Sequence, residues 1–170
     1  SSKKIAVLST ILQTDEATFL WAEDRQFKVD TSDLPFAGEN ISIPPSTSYA
    51  FNETVPPVSV GDSVIFVNDN GPWSAVTDLK FREGRPVAAP TGLTDHAPKY
   101  VPSGLTWMGA TDTGKKAVFF SPATPNHLYI YEWHYSEERR VLSSWHTWRL
   151  PSDCVVLWGV FDKAILYLTV

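Results

Sequence analysis

"LTWMGATDTGKKAVFFSPATPNHLYIYEWHYSEERRVLSSWHTWRLP", residues 105–151, is the stretch on which the fold turns. Its apolar residues come in short runs separated by turn chemistry, the pattern of strands and not of helices. Residues 105–110 read as a first strand, and Asp112, Thr113 and Gly114 supply a turn that tolerates positive φ. Residues 115–120 are a second strand, and "SPATPN" is the loop after it. "HLYIYEWHY" (127–135) is a third strand, "SEER" a charged turn, and 140–150 a fourth. Pro151 has no backbone N–H to donate, so it ends the ladder. Short connections favour pairing of consecutive strands, so the stretch predicts a four-stranded antiparallel meander.

The same layout recurs along the chain. Four segments carry an apolar run, a polar turn and a second apolar run: "IAVLSTILQTDEATFLW", "VPPVSVGDSVIFV", "LTWMGATDTGKKAVFF" and "VVLWGVFDKAILYL". The first runs centre on Val7, Val58, Trp107 and Leu157, and the second on Phe19, Phe66, Phe119 and Leu166. Both series advance by about 50 residues, the period of a β-propeller with one four-stranded sheet per repeat. The expected fold is therefore all-β, a partial β-propeller with blades at 4–53, 55–104 and 105–151 and the start of another at 154–170. A β-sandwich, also built of short strands and frequent turns, is the alternative; the regular step favours the propeller. Two segments, 31–57 and 82–104, read as long irregular connections.

Composition narrows the function. The 170 residues are 43% hydrophobic and only 19% charged, with seven Trp, six Tyr and nine Phe, so disorder and coiled coil are excluded. The net charge is −5 and there is no Lys/Arg-rich run, which removes the electrostatic grip of most nucleic-acid binders. Cys154 is the single cysteine, so an intrachain disulfide or a cysteine-based zinc site is excluded. No run approaches the roughly 18 apolar residues of a membrane-spanning helix. The last residues, "AILYLTV", lie inside a strand-like run, and the chain is expected to be an excerpt of a larger propeller. Terminal blades of such an excerpt have one bare face each, so the chain is expected to dimerise or to cover those faces with its long loops.

Candidate sites are few. In the third strand Tyr129, Tyr131, Trp133 and Tyr135 alternate onto one face, and Leu128, Ile130, Glu132 and His134 onto the other. Trp145 and Trp148 are three apart and therefore face opposite ways; His146 shares a face with Trp148 and Thr147 with Trp145. Tyr129, Tyr131, Trp133, Trp145 and Trp148 are expected to pack blade against blade, since propeller sheets meet through large side chains. The competing reading is a carbohydrate or receptor platform built from Tyr131, Trp133 and Trp148. Of the histidines, His96, His127, His134 and His146, none has zinc-binding spacing, although His134 and His146 could meet across one hairpin. Asp69, Asn70 and Gly71 resemble part of a calcium loop but have no closing glutamate, and Asn-Gly is a turn signal by itself. Nucleophile elbows and phosphate-cradling loops are missing, and the acidic pairs Asp15/Glu16 and Glu137/Glu138 fall in turns. No catalytic, metal or cofactor site is expected; a glycosidase with two distant carboxylates is the disfavoured enzymatic alternative.

A family resemblance rests on two stretches. The approach Thr94, His96, Pro98, Tyr100, Pro102 and Gly104 is followed by a hairpin, the turn Glu137, Glu138 and Arg139, and the close Ser144, Trp145 and Trp148. This resembles the tail tubular protein B, or tail nozzle, family of podovirus-type short-tailed bacteriophages, with "KIAVL" and "FLWAEDRQFKV" similar to its preceding strands. The resemblance implies a non-enzymatic virion structural subunit, made in the host cytoplasm and built into the virion tail. It further implies a homo-oligomeric ring of the full-length protein, adaptor and fibre proteins of the tail as partners, and DNA passing through without specific binding. A net negative charge is consistent with a conduit that does not hold DNA.

Overall fold

The computed structural model describes residues 8–14, 17–22, 25–30, 45–47, 54–60, 63–68, 71–75, 81–82, 85–86, 91–92, 102, 104–136 and 139–170. Every regular element among them is a β-strand, and every pairing is antiparallel. The first sheet is a meander of β1 (Leu8–Gln13), β2 (Ala17–Ala22), β3 (Arg25–Asp30) and β4 (Pro45–Thr47), in that order. The second contains β5 (Val58–Val60), β6 (Ser63–Asn68) and β7 (Gly71–Ala75). A small hairpin, β8 (Phe81–Arg82) and β9 (Arg85–Pro86), intervenes before β10 (Thr91–Gly92) closes the second sheet beside β7. The third sheet is β11 (Trp107–Thr111), β12 (Lys116–Phe120), β13 (His127–Ser136) and β14 (Arg139–Arg149). A two-stranded sheet, β15 (Trp158–Asp162) and β16 (Ile165–Thr169), follows.

The two segments read as long irregular connections in fact supply strands: β4 lies in 31–57, and β9 and β10 lie in 82–104. These strands are two or three residues long and contain Pro45, Pro86 or Gly92, so neither alternation nor β-propensity marks them. β4 and β10 form on the edges of the longer β3 and β7, whereas β9 pairs with the equally short β8. The turn after β11 also differs from expectation. Positive φ falls on Lys115 (50°), the last turn residue, and not on Gly114. Lys115, just after Gly114, and Lys163 (φ 54°), in the glycine-free turn between β15 and β16, both adopt the left-handed region.

Burial explains the arrangement. Val64 and Phe66 of β6 pack with Phe19 and Trp21 of β2, while the alternate residues Ile65 and Val67 pack toward the third sheet. In β12, Ala117 and Phe119 face the second sheet, and Val118 and Phe120 face the fourth. In β13, Tyr131 and Trp133 face the second sheet, and Leu128 and Ile130 the fourth. The middle strands are thus apolar on both faces, and three separate cores alternate with the sheets. Between different sheets, the backbones come close along the first strands: β1 near β5, β5 near β11, and β11 near β15.

The seam between the third and fourth sheets is built on glycine. A methyl group placed on Gly109 would meet the Trp107 ring at 2.5 Å, and one on Gly159 would meet the same ring and Leu168 at 3.1 Å. The indole edge of Trp107 therefore lies against two bare backbones, one in its own strand and one in β15. Phe161 also closes on Gly109, and Val156 completes the cluster. At the end of the seam the buried Thr111 hydroxyl donates to the Lys163 carbonyl and accepts from the Gly114 N–H at 3.3 Å. The chain returning from β14 is held by Leu150 N–H on the Asn126 carbonyl (2.9 Å) and Val156 N–H on the Pro125 carbonyl (2.8 Å). Gly109→Ala is expected to lower stability by about 1–3 kcal/mol through overpacking, with Gly159→Ala milder because its contacts are longer; urea unfolding of the two variants measures both.

Candidate functional site

The third sheet carries the side chains singled out from sequence, and its register sorts them into rows. Directly opposed residues of an antiparallel ladder share a face. One face carries the rows Met108–Phe119–Tyr129–Thr147 and Ala110–Ala117–Tyr131–Trp145. The other carries Gly109–Val118–Ile130–His146 and Thr111–Lys116–Glu132–Ser144, with Leu128 opposite Trp148. Trp145 and Trp148 do point to opposite faces, since the one register irregularity in this ladder lies farther along, between His134 and Tyr135.

Tyr131 and Trp133 are 2% and 4% exposed and belong to the core shared with the second sheet. Their rings are 5.7 Å apart, and Trp145 leans on Tyr131 at 5.1 Å and on Phe119 at 5.7 Å. Tyr129 is partly buried at the margin of that core, within 2.9 Å of the Thr124 hydroxyl. Four of the five aromatics thus gather on one face, against a neighbouring sheet. Trp148 is 45% exposed on the other face, beside His146 at 6.1 Å between ring centroids. The three residues of a carbohydrate platform, Tyr131, Trp133 and Trp148, are therefore not brought together: two are buried and the third faces away. Trp148 also departs from the expectation that it packs onto the next sheet. Leu128 and Ile130 on the same face are buried in the core that also takes in Phe161, Leu166 and Leu168 of the fourth sheet.

The polar cluster of the third sheet lies on the same face as Trp148. Lys116 Nζ donates to Glu132 Oε1 at 2.9 Å, and His134 Nε2 lies 3.7 Å from the same oxygen. The Lys116 hydrogen bond holds the Glu132 carboxyl below its ordinary pKa; partial burial opposes this, and the charges of Lys116, His146 and His134 reinforce it. His127 Nδ1–H donates to Asn126 Oδ1 (2.8 Å), and its ring stacks by Tyr129. Among the described residues, no three His, Cys, Asp or Glu side chains are grouped so as to hold a metal ion. No helix among them is long and apolar enough to cross a membrane. His96, Asp69 and Asn70, the acidic pairs Asp15/Glu16 and Glu137/Glu138, and the motif positions Thr94, Pro98 and Tyr100 lie outside the described residues.

A further surface feature is the outward face of the fourth sheet. Trp158 and Val160 of β15 and Ile165 and Tyr167 of β16 are exposed together, and Leu157 and Val170 flank them. A bare apolar face of this kind marks an interaction site more often than free surface. At the other end of the stack, Leu8 and Ile11 of β1 are exposed. The expected alternatives for such faces are dimerisation or cover by the long connections 31–57 and 82–104, and most of those connections lie outside the described residues.

Comparison with known proteins gives a family and a fold. The family model described as "Bacteriophage nozzle protein" matches residues 1–170. Tail tubular protein gp12 of Escherichia phage T7 is 21% identical over 158 residues, which is 92% of this chain and 20% of that protein. The chain thus spans about a fifth of the length of this curated relative. Among solved structures, a Kluyveromyces lactis Hsv2 chain is 8% identical, with 95% of this chain and 44% of that chain covered at a TM-score of 0.54. A chain of an S. cerevisiae complex of Dbp5 with Nup159 and Gle1 is 10% identical, with 89% and 33% covered at a TM-score of 0.50. At such identities these likenesses speak for the fold alone.

Two substitutions separate core from surface on this sheet. Trp133→Ala is expected to cost about 3–5 kcal/mol of stability, and Trp148→Ala under about 1 kcal/mol, read as shifts of the unfolding midpoint. The Lys116–Glu132 pair makes a second, pH-dependent prediction. A carboxylate whose pKa is lowered on folding stabilises above its unfolded pKa, and the benefit is lost as pH falls through the folded value. Wild type is therefore expected to exceed Glu132→Gln in stability at neutral pH by less than about 1 kcal/mol. The difference should shrink as pH falls below the ordinary glutamate value of about 4.3 toward the lower folded value, as a stability series from pH 7 to 2 would show.

Proposed function

The chain belongs to the bacteriophage nozzle protein family, and we propose that it is a segment of a tail nozzle subunit whose role is structural. The match of the family model along all 170 residues carries this reading. In it the sheets are blades of a partial β-propeller at 4–53, 55–104 and 105–151, with another begun at 154–170. Serial two-sided burial supports this arrangement, as does the approach of successive first strands along one side of the stack. Tyr129, Tyr131, Trp133 and Trp145 fill the space between blades, and Trp148 lies at the rim.

The full-length protein forms a homo-oligomeric ring in the virion tail, after synthesis in the host cytoplasm. Adaptor and fibre proteins of the tail adjoin the ring, and DNA leaves through its channel during ejection without being specifically bound. Such a part requires shape, stiffness and self-association, and no chemistry. The net charge of −5 suits a passage that must release DNA, because a basic wall would gain affinity through counterion release. Burial of Tyr131 and Trp133 leaves the carbohydrate-platform alternative without two of its three residues.

Electron microscopy of the purified full-length protein is expected to show closed rings with a central channel, matching a ring in the virion tail. A protein that stays monomeric and is missing from purified virions would overturn the reading.

A further inference from the structure

The third sheet ends on a strand unlike the outer strands of the other two four-stranded sheets. Natural sheets blunt their free edges with short strands or with proline, because a row of open N–H and C=O groups invites another strand. The outer strands of the first and second sheets fit this rule: β4 has three residues and contains Pro45, and β10 has two and contains Gly92. The third sheet ends on β14, eleven residues without proline or glycine. No strand is missing from this sheet, which has its four strands in order before the chain goes on to β15. The hydrogen bonds at the ends of the ladder fix which groups face outward. Leu150 N–H donates to the Asn126 carbonyl and Trp133 N–H to the Lys115 carbonyl, so Leu150, Trp148 and His146 turn their amides toward β13. The backbone groups of Thr147 and Arg149 therefore point away from the sheet, and both residues are exposed.

We propose that the outer edge of β14 is a contact between neighbouring copies of this protein, in which an extended segment of one copy adds as a strand along the edge of the next. Main-chain hydrogen bonds supply the affinity of such a contact. The inference rests on the reading of the full-length protein as a ring, and it names one of the surfaces that close it. Charge selects the partner. β14 carries Arg139, Arg140 and Arg149 and no acidic residue, in a chain of net charge −5. The acidic excess lies in residues 1–104, whereas residues 105–170 are balanced. A ring joins two different surfaces head to tail, so the basic edge of one copy and the acidic early part of the next attract each other. Pairing of β14 with a second β14 would instead bring arginine against arginine and would close a dimer, not a ring.

Proline at a position whose N–H faces outward removes that donor and leaves the ladder to β13 intact. The experiment compares Thr147→Pro with Thr147→Ala, which keeps the N–H, in the full-length protein by sedimentation and electron microscopy. Thr147→Ala is expected to form rings as wild type does, and Thr147→Pro to weaken subunit association on the order of tenfold or more. Arg149→Glu gives a second variant should Thr147→Pro fail to fold; it is expected to weaken association most at low salt. Amide exchange at Thr147 and Arg149 is expected to slow on the order of tenfold or more in rings, but not in dissociated subunits. Rings of wild-type strength from both Thr147→Pro and Arg149→Glu would overturn the proposal and leave the nozzle reading standing. Slow exchange already present in dissociated subunits would overturn it in favour of cover by the same polypeptide. Normal rings that no longer join tails would overturn it in favour of a different tail protein. A wild-type protein that stays monomeric and is missing from virions would sink the nozzle reading and this contact together.

Discussion

The structure depends on strands that are apolar on both sides. In β6, β12 and β13, successive residues enter different cores: Val64 and Phe66 one way, Ile65 and Val67 the other; Val118 and Phe120 one way, Ala117 and Phe119 the other. A lone sheet with such strands would expose both apolar faces to water, at roughly 25 cal/mol for each Å² left unburied. The second and third sheets each have a neighbour on both sides, and the chain supplies these in order. The Trp107 seam shows how close the fit is. Its indole occupies space that only two glycines leave open, so the third and fourth sheets are keyed to one another by shape as well as by hydrophobicity.

Polar groups fall where the neighbouring sheet does not reach. Glu132, Lys116, His134 and His146 share the face of Leu128 and Ile130, yet they lie in rows or at strand positions beyond the covering hairpin. Their hydrogen bonds and charges are thus partly solvated, which is why the ion pair is expected to matter little for stability. The buried Thr111 is the exception, and its hydroxyl bridges the two sheets by bonding to Lys163 and Gly114. Among the described residues no metal ligands are grouped.

Much of this was legible from local pattern. The strands of 105–151 were expected at 105–110, 115–120, 127–135 and 140–150, and they run at Trp107–Thr111, Lys116–Phe120, His127–Ser136 and Arg139–Arg149. Alternation in "HLYIYEWHY" correctly divides Tyr131 and Trp133 from Leu128 and Ile130, because a side-chain period of two is a property of the strand itself. The short strands β4, β9 and β10 were not legible. Two or three residues hold no period, and β4 and β10 are placed by the edges of β3 and β7 beside them.

The sequence by itself determined the antiparallel β class, the spacing of the sheet repeats and the opposite orientations of Trp145 and Trp148, since all three follow from local periodicity and turn chemistry. Only the tertiary structure decided which of those faces are covered. Trp145 leans on Tyr131 and Phe119 in the core shared with the second sheet, whereas Trp148 is exposed on the opposite face. Alternation sets where a side chain points, but burial depends on how far the next sheet extends over it, and that reach is a property of distant parts of the chain.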